Sequence, residues 1–413
     1  MIQELSQVPV KYAYIDPGTG SMLFTLLFGI LGVLSYSLRS IISRISLGFG
    51  DKTSSKNRYP FVIYTDSKRY WNVFKPICDE FENNMINLVY LTQSEDDPVF
   101  SEKYNYISPE YIGNNNKSFS RLNFLNADIL LSTTPSLDVY QWKRSKGVKF
   151  YIHVPHACTD VTLYRMFGTD YYDAMLLSGQ YQIDQIRELE KQRNIKEKDM
   201  KIVGLTYFDA LKERLKKAKR KNNDNTLVLL APSWGPSSLL NLYGSELIDE
   251  LISTGFDLVI RPHPQSYISE KELMKKLIKQ YPNVIWNTDN DNFDILNSAD
   301  IMISDFSGVI YDFALVFNKP VIYANNSFDD SVYDAHWLEE KTWAVTNLPL
   351  VGRELKKEEF KNIRLIIEDC LNNSNYEENR RRLINEAWEN RGNASKAIFD
   401  YMHKKQEELN AEN

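Results

Sequence analysis

The stretch Ala299–Tyr323, ADIMISDFSGVIYDFALVFNKPVIY, decides the fold class. Ile301 to Ile303 form a short apolar run with the composition of a buried strand. Ser304-Asp305-Phe306-Ser307-Gly308 make a polar turn, and Val309, Ile310, Phe313, Ala314 and Phe317 then recur at helical spacing. Pro320 to Tyr323 read as a second strand. A strand, helix, strand unit of this kind belongs to a parallel sheet covered by helices. The turn gathers small polar side chains where the helix begins, so free backbone N–H groups, hydroxyls and the positive end of the helix dipole converge. A phosphate or pyrophosphate suits that place, and helix capping is the other use of Ser304, Asp305 and Ser307.

Upstream, NTLVLLAPSWG, GFDLVIRPHPQ and NVIW repeat the pattern of a buried strand with a polar exit, each separated by helical periodicity. The exits collect Ser233, Trp234, Arg261 and His263 beside the Ser304 to Gly308 turn. In parallel sheets, ligands bind beyond the carboxyl ends of the strands, so these residues are expected to share one nucleotide site. Arg261 supplies a planar donor fork for phosphate, and His263 a donor to a bridging or leaving phosphate oxygen. Pro262 and Pro264 hold that segment extended.

The first half of the chain shows the same alternation. PFVIYTD, INLVYLT, ADILLST and VKFYIH read as strands, and Trp71 to Asn83 as an amphipathic helix. His153, His156 and Asp160 follow one strand, and two of only five histidines lie in this turn. Either His156 or His153 is a candidate general base near neutral pH. No second cluster at ligand spacing accompanies them, so no metal site is expected. Asp209, at a helix start after Gly204, is a candidate to orient a histidine or hold an acceptor hydroxyl, with capping as the alternative.

The 413 residues suffice for two domains plus appendages, and the formal net charge of −6 gives no global attraction to nucleic acid. Three widely spaced cysteines suggest a reducing compartment. Residues 17–38, PGTGSMLFTLLFGILGVLSYSL, carry no charge and are followed by Arg39, Arg44, Lys52, Lys56 and Arg58. That pattern is expected of a single membrane helix with its N-terminus outside and the globular part at the cytoplasmic face; a membrane-surface or buried helix is the alternative. The expected organisation is an N-terminal segment 1–50 with the membrane helix at about 17–38, a Rossmann-like acceptor domain 51–222, a Rossmann-like donor domain 223–385 and a crossover helix 386–413.

Taken together, these residues resemble the CDP-glycerol:poly(glycerophosphate) glycerophosphotransferase family, which builds teichoic acid and related phosphate-linked cell-envelope polymers. The resemblance rests on Ala231-Pro232-Ser233-Trp234, on Arg261-Pro262-His263-Pro264, on Ala299 to Phe313 with Ser304, Asp305, Ser307 and Asp312 in register, and on Gly392 to Ile398. It implies a GT-B architecture, two Rossmann-like domains facing a cleft. It also implies metal-independent transfer, with no cofactor, of a polyol phosphate from a CDP-activated donor to a lipid-linked or glycan acceptor. Ser233, Trp234, Arg261, His263, Ser304, Asp305, Ser307, Gly308 and Asp312 would then bind the donor. His156 or His153 would be the base, with Asp209 and His263 assisting. His-Val-Pro-His stands where the family has an HGT motif, Gly235 replaces an arginine, and Gly204 to Asp209 departs from G-x-P-R-x-D, which marks a divergent branch. A glycosyltransferase using a nucleotide sugar, or a membrane protein that binds nucleotide without turnover, fits the same scaffold.

Overall fold

A computed structural model describes residues 58–219, 224–324, 329–373 and 375–411. The apolar stretch at 17–38 lies outside the described residues, among which no helix is long and apolar enough to cross a membrane.

The first sheet has seven strands: β1 Tyr59–Thr65, β2 Leu88–Thr92, β3 Ile107–Tyr111, β4 Asn126–Ser132, β5 Gly147–His153, β6 Ala174–Leu177 and β7 Asp199–Ile202. Their order is β3-β2-β1-β4-β5-β6-β7, and neighbours run parallel. The second sheet has six: β8 Leu227–Leu230, β9 Asp257–Ile260, β10 Ile285–Trp286, β11 Ile301–Ser304, β12 Val321–Tyr323 and β13 Gly352–Glu354. Its order, β10-β9-β8-β11-β12-β13, repeats the first and is again parallel. In both sheets the strand order reverses beside the first strand, and a crevice opens there at the carboxyl ends.

Both faces of each sheet are buried, which is why the strands read as continuous apolar runs. On β1, Phe61 and Ile63 enter one core while Val62 and Tyr64 enter another on the opposite face. On β8, Leu229 and Val228 divide in the same way. Edge strands escape the apolar pattern. β3, ISPEY, is an edge strand, where Pro109 does not interrupt a central ladder. β13 is an edge of the second sheet, and a Cβ at Gly352 would lie 2.4 Å from the Val321 carbonyl oxygen, so only glycine admits this pairing.

After the helix Asn375–Ala387, whose Leu383 and Ala387 join the second lobe's core, the chain crosses back. The helix Ala394–Ala411 lays Ile398, Phe399 and Met402 into the first lobe's core, with Phe399 edge-on to Phe81 at 5.0 Å. Asp209 sits at this crossing. Its carboxylate accepts from Gly392 N (2.7 Å), Ala394 N (3.1 Å) and Trp388 Nε1 (2.9 Å). The expected catalytic role is therefore corrected: both oxygens are used to cap a helix that arrives from the far end of the chain. Gly204, at φ +94°, lets the crossing segment approach, since a Cβ there would stand 2.6 Å from the Glu389 carbonyl oxygen.

Two carboxylates tie the lobes together reciprocally. Asp160 of the first lobe accepts from Trp343 N (2.6 Å) and Ala344 N (2.8 Å) of the second. Asp334 of the second accepts from Phe167 N (2.7 Å), Gly168 N (3.0 Å) and Arg193 (2.5 Å), and Arg193 also pairs with Asp170 at 2.7 Å.

Candidate active site

The strand ends of both lobes face one cavity of about 350 Å³. From the first lobe come Arg69 and Tyr70 after β1 and His156 after β5. From the second come Pro232 after β8, Arg261 and His263 after β9, Asn290 to Asn292 after β10, and Ser307, Gly308 and Asp312 after β11.

His156 and His263 differ in how they are held. His263 Nδ1 accepts from the backbone N–H of Gln265 at 3.1 Å, so in the neutral ring the proton is on Nε2, which is a donor. His156 Nδ1 lies 3.3 Å from Thr133 Oγ1, a hydroxyl that serves either tautomer; when Nδ1–H donates to it, Nε2 is left as an acceptor. Burial is the main cause lowering both rings to about 4. For His156 the Arg69 charge adds to it, and for His263 the charges of Arg69 and Arg261 do. Both imidazoles are therefore neutral at pH 7, and a bound anion would raise their basicity.

Arg261 is fixed by Asn287 Oδ1 and by the carbonyl oxygen of Asp289, the latter at 2.8 Å. Asp312 lies in a π turn, Asp312–Val316, that continues the short helix Val309–Tyr311. The extra residue in such a turn changes the side-chain register, and Asp312 lines the cleft while Phe313 and Ala314 enter the core. Burial pushes its carboxyl up to about 7. Tyr207 Oη donates to Asn292 Oδ1 at 3.0 Å and lies 3.4 Å from Asp312 Oδ2. Two arginines, two neutral imidazoles and a carboxyl whose pKa is raised by burial, in one cleft, can hold a diphosphate and exchange a proton.

Of the residues singled out in the sequence, the structure brings His156, Arg261, His263, Ser307, Gly308 and Asp312 together. The others stand elsewhere. His153 ends β5 with its side chain in the core, fully buried between Tyr164 and Tyr172, and neither ring nitrogen has a hydrogen-bond partner among the described residues. Burial there lowers the ring to about 3. Ser304 Oγ donates to the Ala231 carbonyl oxygen at 2.6 Å. Asp305 accepts from Ser233 N (2.8 Å) and Leu239 N (3.0 Å). Ser304 and Asp305 are thus corrected from donor contacts to braces that join the exits of β8 and β11. Ser233 is buried outside the cavity lining, and Trp234 lies beside it, with its ring 6.3 Å from that of His263.

Arg69, Tyr70, Tyr207 and Asn290 to Asn292 were not anticipated. For Arg69 the signal was present: a basic residue just beyond the first strand, where a sheet of this type binds anions.

Residues 166–404 match the sequence profile of the CDP-Glycerol:Poly(glycerophosphate) glycerophosphotransferase family. A comparison with curated protein sequences finds no match. Among solved structures, the wall teichoic acid polymerase TagF superposes with a TM-score of 0.57 at 15% identity, covering 92% of this chain and 98% of that one. A putative UDP-N-acetylglucosamine 2-epimerase from Listeria monocytogenes does so with a TM-score of 0.57 at 15% identity, covering 85% and 98%. These likenesses show a shared fold of two facing parallel sheets.

Proposed function

We propose a function from one premise: the chain belongs to the CDP-glycerol:poly(glycerophosphate) glycerophosphotransferase family. On this reading it transfers a polyol phosphate from a CDP-activated donor to a hydroxyl of a lipid-linked or glycan acceptor. The observation that carries it is the meeting of Arg69, His156, Arg261, His263 and the Ser307–Gly308 turn around a single cavity.

Arg261 and Arg69 neutralise the diphosphate, the Nε2–H of His263 donates to it, and Asp312 with Tyr207 and Asn292 offers partners for the polyol hydroxyls. His156 Nε2 takes the proton of the acceptor hydroxyl. The acceptor oxygen then forms a bond to the β-phosphorus as the bond from that phosphorus to the bridging oxygen breaks, and CMP leaves with the electron pair. Positioning and charge neutralisation supply most of the acceleration. The membrane-facing part of the reading rests on residues 17–38 and places the reaction at the cytoplasmic face, where a lipid-linked acceptor is within reach.

Mass spectrometry of products from the purified protein, a panel of CDP-activated polyols and isolated membranes tests the reading. An acceptor heavier by one polyol phosphate, formed with equimolar CMP, is the expected result. A thermal upshift with UDP-sugars and none with CDP-polyols would instead assign a glycosyltransferase. Fractionation of the full chain and of one lacking residues 1–50 tests the anchor: the first should sediment with membranes and the second should not.

A further inference from the structure

A second cavity, of about 290 Å³, opens at the carboxyl ends of the first lobe's strands. Its chemistry differs from that of the cleft. Tyr64, Phe119, Tyr140 and Trp142 give it aromatic walls, and Asp66, Gln93, Thr134 and Ser136 supply polar atoms; no lysine, arginine or histidine lines it. An anion is therefore disfavoured, because the one charged group present is a carboxylate. Aromatic faces combined with a carboxylate, an amide and hydroxyls suit a ligand with apolar C–H faces and a rim of hydroxyls.

Three further observations mark a built site rather than a surface dent. Trp142 is 3% exposed, and its Nε1 has no hydrogen-bond partner among the described residues, although a buried indole N–H ordinarily finds one. The loop that forms the wall holds Ser136 at φ +66° and Asp138 at φ +64°, a left-handed backbone that costs free energy in a residue with a side chain. Tyr140 stands 54% exposed at the rim, available to a ligand rather than committed to the core. The pocket also adjoins the reacting centre: Thr134 follows Thr133, the partner of His156, and Asp66 precedes Arg69 by one turn of chain.

We propose that this pocket binds a neutral hexopyranose unit of the acceptor, stacked on Tyr140 and hydrogen-bonded by Asp66 and Gln93, so that the acceptor hydroxyl is delivered to His156. The proposal deepens the acceptor half of the function proposed above and rests on it for its consequence, but its test needs no turnover.

Saturation-transfer NMR on the purified chain, with glucose, galactose and N-acetylglucosamine as probes and a glycerol phosphate oligomer as the comparison, reads occupancy directly. At least one sugar should bind, and its affinity should fall by about fivefold in Tyr140→Ala and in Asp66→Ala, the size expected for losing one stacking or hydrogen-bonding partner. Both side chains reach solvent, so the fold should survive, and an unchanged denaturation midpoint in each variant would verify that. Binding by no sugar, equal binding in wild type and both variants, or displacement of the sugar by the glycerol phosphate oligomer would each overturn the proposal. If CDP fails to bind while the sugar does, the donor reading falls and the saccharide pocket stands.

Discussion

The two walls of the cleft each present a histidine, and the walls are built differently. On the second lobe, His263 is locked into one tautomer by a backbone amide and sits between two prolines. Its neighbours are braced by Asp305, which clamps Ser233 N and Leu239 N. On the first lobe, His156 has, among the described residues, a rotatable hydroxyl as its hydrogen-bond partner and packs against the rings of Tyr70 and Tyr164, at 4.8 and 6.3 Å. A fixed donor suits a group that stays bound throughout, whereas a ring free to exchange tautomers suits one that must take up and release a proton. On the proposed function, this difference gives the phosphates to one wall and the proton transfer to the other.

Removing each histidine is the strongest way to break this comparison. His156→Ala should lower kcat by roughly 10²–10⁴ while leaving CDP affinity near wild type, as expected for loss of a base. His263→Ala should lower kcat by about 10²–10³ and weaken CDP binding as well. Steady-state kinetics with calorimetric titration of CDP separates the two; equal effects on nucleotide affinity would dissolve the division of labour.

The contact between the walls comes next. Asp334→Ala leaves Arg193 short of a partner with its side chain only 4% exposed, and breaking a buried pair in this way costs on the order of 3–5 kcal/mol. Chemical denaturation should show that loss. Asp305→Ala, which strips two buried N–H groups of their acceptor, should cost about 1–3 kcal/mol and also weaken nucleotide binding; an unchanged CDP affinity would mean that the brace does not position the donor wall.

The walls also differ in how stability depends on pH. His156 and His263 titrate near 4 when folded against an ordinary 6.5, so the unfolded chain binds more protons between those values and stability falls as pH drops through that window. Asp312 has the opposite sign. Its carboxyl is raised to about 7 from 3.8, so its contribution is present below 3.8 and lost as pH rises toward 7. Relative to wild type, Asp312→Asn should therefore gain stability between pH 5 and pH 8, and denaturant midpoints at the two pH values measure it.

Most of the strand and helix pattern was legible because both sheets are buried on both faces, which writes them as apolar runs; the helix Trp71–Asn83 falls where its periodicity places it. The edge strands β3 and β13 were not legible, since edges tolerate proline, glycine and charge. At the site, strand-exit position found Arg261, His263, Ser307 and His156. It could not tell His156 from His153, because the direction of a side chain at a strand end depends on where the strand stops. Nor could it foresee that Asp209, Ser304 and Asp305 would spend their polar atoms on other parts of the chain.

The helix Ala394–Ala411 supplies Ile398, Phe399 and Met402 to a core whose other members come from residues synthesised hundreds of positions earlier. During translation the first lobe must therefore wait, with an open greasy seam beside Phe81, while the entire second lobe is made. A ribosome-bound chain stalled before residue 394 should recruit holdase chaperones to that seam, and release of the last helix should dismiss them.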